Sequence, residues 1–321
     1  MPKKSDEEFF KESLDFWFEY GKELCKICPD CTNEYNEHSL FKLIGFTYWV
    51  GYFLPIIHRN FRIKYHYRIC YLDVMAGSGV TSTKRAGDYF CGSCPGVLLS
   101  PKAKKFPFDL VIAIEKDKEK AKALENRLKS LNLHSEIMVI DQDINDCIDE
   151  IISKIKEEKS KSYTIIDPEG YEGLYWSTIE SFLKLNGDMM INWFEHDILR
   201  MQRAALSDAT NEKVKESQIN RLNEMFGDDR WKKAVSSLEL TELFTDRLIK
   251  QNKDSIVEIV KIPRAAGDFK LILLTSKNVQ KQAKDWAKRV ASRINSLHGK
   301  DISKLLDVKA GRISSLEKFG L

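Results

Sequence analysis

Between Arg68 and Phe194 the chain repeats one pattern: a short run that is apolar at nearly every position, then an amphipathic helical run. The apolar runs are "RICYLDVM", "DLVIAIEKD", "SEIMVIDQD", "YTIIDPEG" and "GDMMINWF", and the helical runs include "KEKAKALENRLKSL" and "INDCIDEIISKIKEE". A strand without a polar face has to be covered on both sides, and strands alternating with helices run parallel. The pattern therefore predicts an α/β fold, a doubly wound Rossmann-like sheet. Later, "SIVEIVKIPRAAGDFKLILLTSK" holds two strand-like runs around a Gly-containing connection, an antiparallel hairpin for the sheet edge, and "NVQKQAKDWAKRVASRI" follows as a helix. At 321 residues and 43% apolar composition the chain can fill a large core. The expected organisation is an N-terminal helical extension (1–64), an α/β core (65–195 and 241–297), a helical insertion (196–240) and a surface tail (298–321).

In the extension, Ser5 and Glu8 form a capping-box pattern ahead of Phe9, Phe10, Leu14, Trp17 and Phe18, which recur at helical spacing and predict a helix to about Leu24. A second helix is expected from about Ser39 to His58. Its segment "LIGFTYWVGYFLPII" has fifteen uncharged residues, short of the roughly 20 a membrane span needs, and contains Gly45, Gly51 and Pro55. It reads as a buried helix, with no membrane contact. The opening "MPKKSDEEFF" is charged where a signal peptide is apolar, so the expected location is cytoplasmic. A net charge of +3 from 51 basic and 48 acidic residues names no polyanionic partner by itself.

The run "CYLDVMAGSGV" enters a tight turn with an acid just ahead of it. Glycines at 77 and 79 allow close backbone approach to a ligand, but no third glycine follows at the dinucleotide offset, and there is no phosphate-binding Lys. A cofactor without phosphates fits, and S-adenosylmethionine is the expected one. Asp73 is then placed to face its amino group, with Gly77, Ser78 and Gly79 beside the ligand. Glu115, at the end of the next strand, is placed for the ribose hydroxyls, and Asp143, after the third, for the adenine amine. Acids at such positions also cap helices.

Seven cysteines, an odd number, argue against a disulfide framework. Cys25, Cys28 and Cys31 lie at C-x2-C-x2-C, and Cys91 and Cys94 at C-x2-C, spacings that let thiolates hold one tetrahedral ion. The expectation is a zinc clamp drawing at least four sulfurs from the two clusters, with His38 in reserve. An iron-sulfur cluster and free thiols are the alternatives. Cys70 and Cys147 read as buried fillers.

The blocks "YLDVMAGSG", the Gly-Ser-x-Pro-Gly run from Gly92 to Gly96, "IIDPEG", "GDMMINW" and "FKLILLTSK" occur in an order that resembles the three-Cys-motif partner family, itself similar to class I S-adenosylmethionine-dependent methyltransferases. The likeness spans about Leu40 to Ile294. It departs at Met75 and Glu169, where the family favours aromatics, and at Cys94. The resemblance implies a methyltransferase-like sheet and, as a partner, a three-Cys-motif protein. Asp167 and Pro168 are similar to the Asp-Pro-Pro-aromatic edge that holds an exocyclic amine in methyltransferases acting on nucleic-acid bases. Here Glu169 replaces the second proline and Tyr171 comes one residue late. The alternative for Asp167 is a cap on the following helix, and for Asn192 and Glu195 ordinary loop polarity outweighs a place in the crevice. Two functions follow: a methyltransferase acting on a base amine, or a non-catalytic platform whose metal site shapes an interface.

Overall fold

A computed structural model of the chain describes residues 6–34, 39–82, 88–168, 173–185, 187–252, 254–262, 269–295 and 307. The Ser5 capping box, His38, Glu169, Tyr171 and nearly all of the C-terminal tail lie outside the described residues. The chain opens with helix α1 (Asp6–Cys25), a two-residue strand β1 (Asn33–Glu34), and helix α2 (Ser39–Ile57), which runs through a π-helical turn at His58–Arg62 into α3 (Ile63–Tyr65). Then come β2 (Arg68–Val74), β3 (Val80–Ser82), β4 (Tyr89–Cys91), α4 (Ser93–Leu98), α5 (Pro101–Lys105), β5 (Leu110–Ile114) and α6 (Lys118–Ser130). The alternation continues with β6 (Glu136–Ile140), α7 (Ile144–Glu157), β7 (Ser160–Ile166), α8 (Trp176–Phe182) and β8 (Gly187–Trp193). Helices α9 (Glu195–Leu206), α10 (Glu212–Phe226) and α11 (Ser237–Gln251) precede the strands β9 (Ser255–Ile262) and β10 (Phe269–Ser276) and the final helix α12 (Gln280–Asn295).

The main sheet has seven strands in the order β6-β5-β2-β7-β8-β10-β9. Five are parallel, and β10 joins β8 antiparallel and pairs with β9. This is the doubly wound α/β sheet expected from the continuous apolar runs. Alternate residues feed two cores. Tyr71, Tyr163 and Leu271 face the side covered by α1, α2, α6 and α12, while Leu72, Ile112 and Ile191 face α7 to α11. A second sheet, β1-β3-β4, ties the N-terminal extension to the turn after β2, with Asn33 opposite Thr81. The polar helices after β8 are part of the second core, where Trp193 stacks on Phe244 of α11 at 4.2 Å.

Residues Leu40–Tyr65 form one continuous helical stretch that by length and composition alone is long and apolar enough to cross a membrane. Its Leu40, Phe41, Ile44, Phe46 and Trp49 are all packed inside the fold. Gly45 lets α2 lie directly on the sheet, because a Cβ there would sit 2.2 Å from the Leu271 side chain. From the same helix, Trp49 donates its indole N–H to Asp188 at 2.8 Å, and the Thr275 hydroxyl donates to the other Asp188 oxygen at 2.6 Å.

Burial pushes the Asp188 carboxyl up from 3.8 to about 6, opposed by the hydrogen bonds from Thr275 and Trp49. The folded state therefore holds this proton more tightly than the unfolded chain does. Its contribution to stability falls as pH rises from about 4 to about 6, and is flat above that window. Asp188→Asn removes this dependence, so urea midpoints of wild type and variant, measured from pH 4 to 7, should diverge in favour of the variant as pH rises.

Candidate functional site

All five parallel strands deliver their carboxyl ends to one edge, with β5 and β7 leaving β2 in opposite directions, which opens a crevice at that point. At the end of β2 the backbone turns sharply: Met75, Gly77 and Gly79 have φ of 66°, 64° and 82°. The Gly77 amide donates to Glu115 Oε2 at 2.8 Å and the Asp117 amide to Oε1 at 2.9 Å, so Glu115 locks the glycine turn to the end of β5. From the extension, Asn33 accepts from the Ser78 amide at 3.2 Å. A Cβ on residue 77 would lie 2.0 Å from the Asn33 amide nitrogen, so only glycine leaves room for it.

Met75 separates two cavities. One, of about 140 Å³, is lined by Met75, Glu115, Lys116, Gln142, Asp143 and Gly173. Glu115 and Asp143, two of the expected cofactor residues, thus meet in one space beside the turn that contains Gly77, Ser78 and Gly79. Asp143 also caps α7, accepting from the Asn145 amide at 2.9 Å. The other cavity, of about 30 Å³, is walled by Asn33, Lys42, Thr81, Ser93 and Asp167.

Asp167 does not cap a helix, since α8 begins at Trp176 with Tyr175 in the cap position. Instead, Lys42 reaches both of its oxygens at 2.9 Å, and Asn192 donates to Oδ1 at 2.7 Å. Pro168, beside it, is buried. Asn192 and Glu195 are not loop polarity, as the sequence suggested. Asn192 is buried against Asp167, and Glu195 is buried in an ion pair with Lys270 at 2.5 Å.

Asp73 lies wholly inside the protein. Its Oδ2 accepts from the Tyr71 hydroxyl at 2.7 Å, its Oδ1 meets no hydrogen-bond donor among the described residues, and the residue lines neither cavity. Burial pushes the carboxyl up to about 7, opposed by the hydroxyl groups of Tyr71 and Ser93 nearby and reinforced by the charges of Asp167 and Glu115.

The zinc clamp is not formed. Among the described residues no group of three or more His, Cys, Asp or Glu is placed to hold a metal ion, so Cys25, Cys28, Cys31, Cys91 and Cys94 are not gathered as expected, for zinc or for iron and sulfide. Cys91 and Cys94 are enclosed in the first core with Trp17 and Val97, and burial pushes both thiols up. Cys28 and Cys31 stay half-buried in a turn outside it. Cys70 and Cys147 are buried, as expected.

A link between the "CKICPDC" turn and the glycine turn does exist, made by Arg127 of α6. Its guanidinium donates to the carbonyls of Leu24 at 3.0 Å, Cys28 at 2.6 Å, Cys31 at 2.8 Å and Ser78 at 2.7 Å, and the side chain is wholly buried. Arg127→Met strands four carbonyls at once, and should lower the unfolding free energy by about 3–5 kcal/mol in urea titrations. A loss below about 1 kcal/mol, the range of an ordinary exposed contact, would contradict this role.

Asn33, Lys42, Arg127 and the contact role of Asn192 were missed from the sequence. Two left a signal. Lys42 is the only charge in the 19 residues of α2, and Arg127 lies three and four positions after Leu124 and Ala123, on the apolar stripe of α6. Asn33, in a two-residue strand, left none.

No family model matches the chain, and no curated protein matches it. Solved structures do. Trm1 from Pyrococcus horikoshii, in complex with S-adenosyl-L-methionine, is 11% identical over 78% of this chain, with a TM-score of 0.40; the chain spans 58% of that protein's length. A SAM-dependent methyltransferase from Anabaena variabilis is 11% identical over 82% of this chain and 95% of its own, with a TM-score of 0.35. PKMT2 from Rickettsia typhi, in complex with AdoHcy, is 11% identical over 66% of this chain and 49% of its own, with a TM-score of 0.33.

Proposed function

We propose that the chain is an S-adenosylmethionine-binding, methyltransferase-like protein. The observation that carries this reading is the glycine turn locked by Glu115, with Glu115 and Asp143 lining one cavity beside it at the carboxyl edge of the sheet. The residues present fit the cofactor. Glu115 retains acceptor capacity for ribose hydroxyls beyond its two backbone bonds, and Asp143 and Gln142 offer acceptors to an adenine amine. Asp73 is enclosed and lines neither cavity, so its free Oδ1 would accept from an ammonium group only once the crevice opens over it. When bound, the cofactor supplies an electrophilic methyl group.

On this reading Asp167 orients the acceptor, an amine of a nucleic-acid base, by accepting its hydrogen bonds. An incoming amine has to displace the Lys42 ammonium to reach those oxygens, and Asn192 holds the carboxylate in place meanwhile. The closed Lys42–Asp167 pair is also the observation that favours a second reading: a non-catalytic platform for a partner protein, as the three-Cys-motif resemblance implies. In that case the pair is structural and the crevice performs no transfer.

Calorimetry with S-adenosylmethionine tests the first reading, and Glu115→Ala should weaken binding by about 1.5–3 kcal/mol through loss of charge-assisted hydrogen bonds. With the Asp73 carboxyl pushed up to about 7, a ligand ammonium binds the ionised form, so affinity should rise from about pH 6 to about 7, before the ligand's own amino group deprotonates at about pH 8, and Asp73→Asn should abolish the rise. No heat at millimolar ligand removes the cofactor reading. Asp167→Ala should abolish methyl transfer to adenine-containing RNA or DNA while leaving cofactor affinity nearly unchanged. Cofactor binding by the wild type with no transfer to any nucleic acid would favour the platform.

A further inference from the structure

The helical stretch after α2 carries a composition that the whole chain conceals. From His58 to Arg68, "HRNFRIKYHYR", eleven residues contain four Lys or Arg, two His and three aromatics, and no acid. The near balance of 51 basic and 48 acidic residues overall hides this cluster. It sits at the amino-terminal ends of the strands, the edge opposite the cofactor crevice, because Arg68 begins β2 and Lys161 lies beside Ile69 near the start of β7.

Its charges divide into two sets. Arg62 pairs with Asp109 at 2.7 Å, and Arg68 pairs with Glu136 at 2.9 Å and with Glu158, so these two arginines fasten the segment to the sheet. Arg59 and Lys64 are exposed and have no carboxylate partner among the described residues. A third cation, Lys161, lies 4.5 Å from the Phe61 ring centre and 5.3 Å from that of Tyr67. The rings form a group: Phe61 is 6.5 Å from Tyr65 and 6.1 Å from Tyr67. Tyr65 is 65% exposed and Ile63 63%, far more than a ring or aliphatic chain serving the core. Beside them opens a cavity of about 400 Å³, lined by His58, Ile63, His66, Tyr67 and the Arg62–Asp109 pair.

We propose that this surface docks single-stranded nucleic acid, with Arg59 and Lys64 on phosphates and Tyr65 stacked against a base. Unpartnered cations next to an exposed ring are the combination that holds an unpaired strand, since a base offers its face only when it is not stacked in a duplex. An anionic membrane fits less well. The apolar face of α2 is inside the protein, and Ile63 is the only exposed aliphatic residue in the segment, too little to insert. The surface lies on the opposite edge from the crevice and does not depend on the cofactor reading.

The test uses the full chain and a fluorescently labelled uridine 20-mer RNA, followed by anisotropy across a salt series, with a duplex of the same length and phosphatidylserine vesicles as parallel arms. Wild type should bind the single strand in preference to the duplex. Arg59→Gln with Lys64→Gln should lower the log–log salt slope by about 1.4, two phosphate contacts at about 0.7 each. Tyr65→Ala should weaken binding by about 5- to 150-fold, the range for one lost base stack. All three side chains are exposed, so melting temperature and S-adenosylmethionine affinity should stay as in the wild type, which separates this outcome from failure of the cofactor reading. The proposal is overturned by equal affinity for duplex and single strand, by oligonucleotide binding that the variants leave unchanged, or by binding to vesicles alone.

Discussion

The crevice depends on one buried cation. A guanidinium does not give up its proton at any pH a protein survives, so Arg127 can lie inside the structure only if each of its three nitrogens finds an acceptor. Four carbonyls meet that demand, three from the end of α1 and the turn after it, and one from the glycine turn. These segments are separated by about fifty residues of chain, and the helix carrying the arginine lies further on again. None of them can shift without leaving charge unmet in a dry interior, which makes the N-terminal extension a part of the carboxyl edge of the sheet. Asn33 reaches the Ser78 amide from the same extension, so the glycine turn is held at three points, by Arg127, Glu115 and Asn33.

Along the carboxyl edge, Met75 stands with a positive φ where small residues would be easier to accommodate, and its side chain borders both cavities. On one side the walls are carboxylates with acceptor capacity left over. On the other, the carboxylate of Asp167 is matched by a lysine and an amide. The two halves therefore differ in electrostatic character: one is poised to receive donors, and the other is internally neutral until something separates Lys42 from Asp167. Asp73, enclosed in the protein, feels the charges of both Asp167 and Glu115.

The layered α/β sheet was legible because β5 and the central stretches of β2 and β8 have to satisfy two cores, and that requirement is written as runs such as Leu110–Ile114, apolar on both faces. The antiparallel hairpin and the acids at the strand ends were legible for a similar reason, since local chain direction decides where they fall. What the sequence did not disclose are contacts made across long separations. Cysteine spacing pointed to a metal because spacing is local, whereas the actual fastening comes from an arginine about a hundred residues away. Lys42 and Arg127 could have been suspected as charges set on apolar helical faces, but the partner of each lies on another element. Asp167 shows the same limit, because its position after β7 was evident and its pairing with α2 was not.

Every bond Arg127 makes is to a main-chain oxygen. Any amino acid at positions 24, 28, 31 or 78 supplies the same acceptor, so the clamp places no demand on the side chains there. Cys28 and Cys31 can each be replaced without removing an acceptor from the clamp, provided the arginine and the course of the backbone are kept. The three-cysteine pattern that first attracts the eye is then the feature this clamp depends on least, and a lone basic residue in an unremarkable helix is the one it cannot do without.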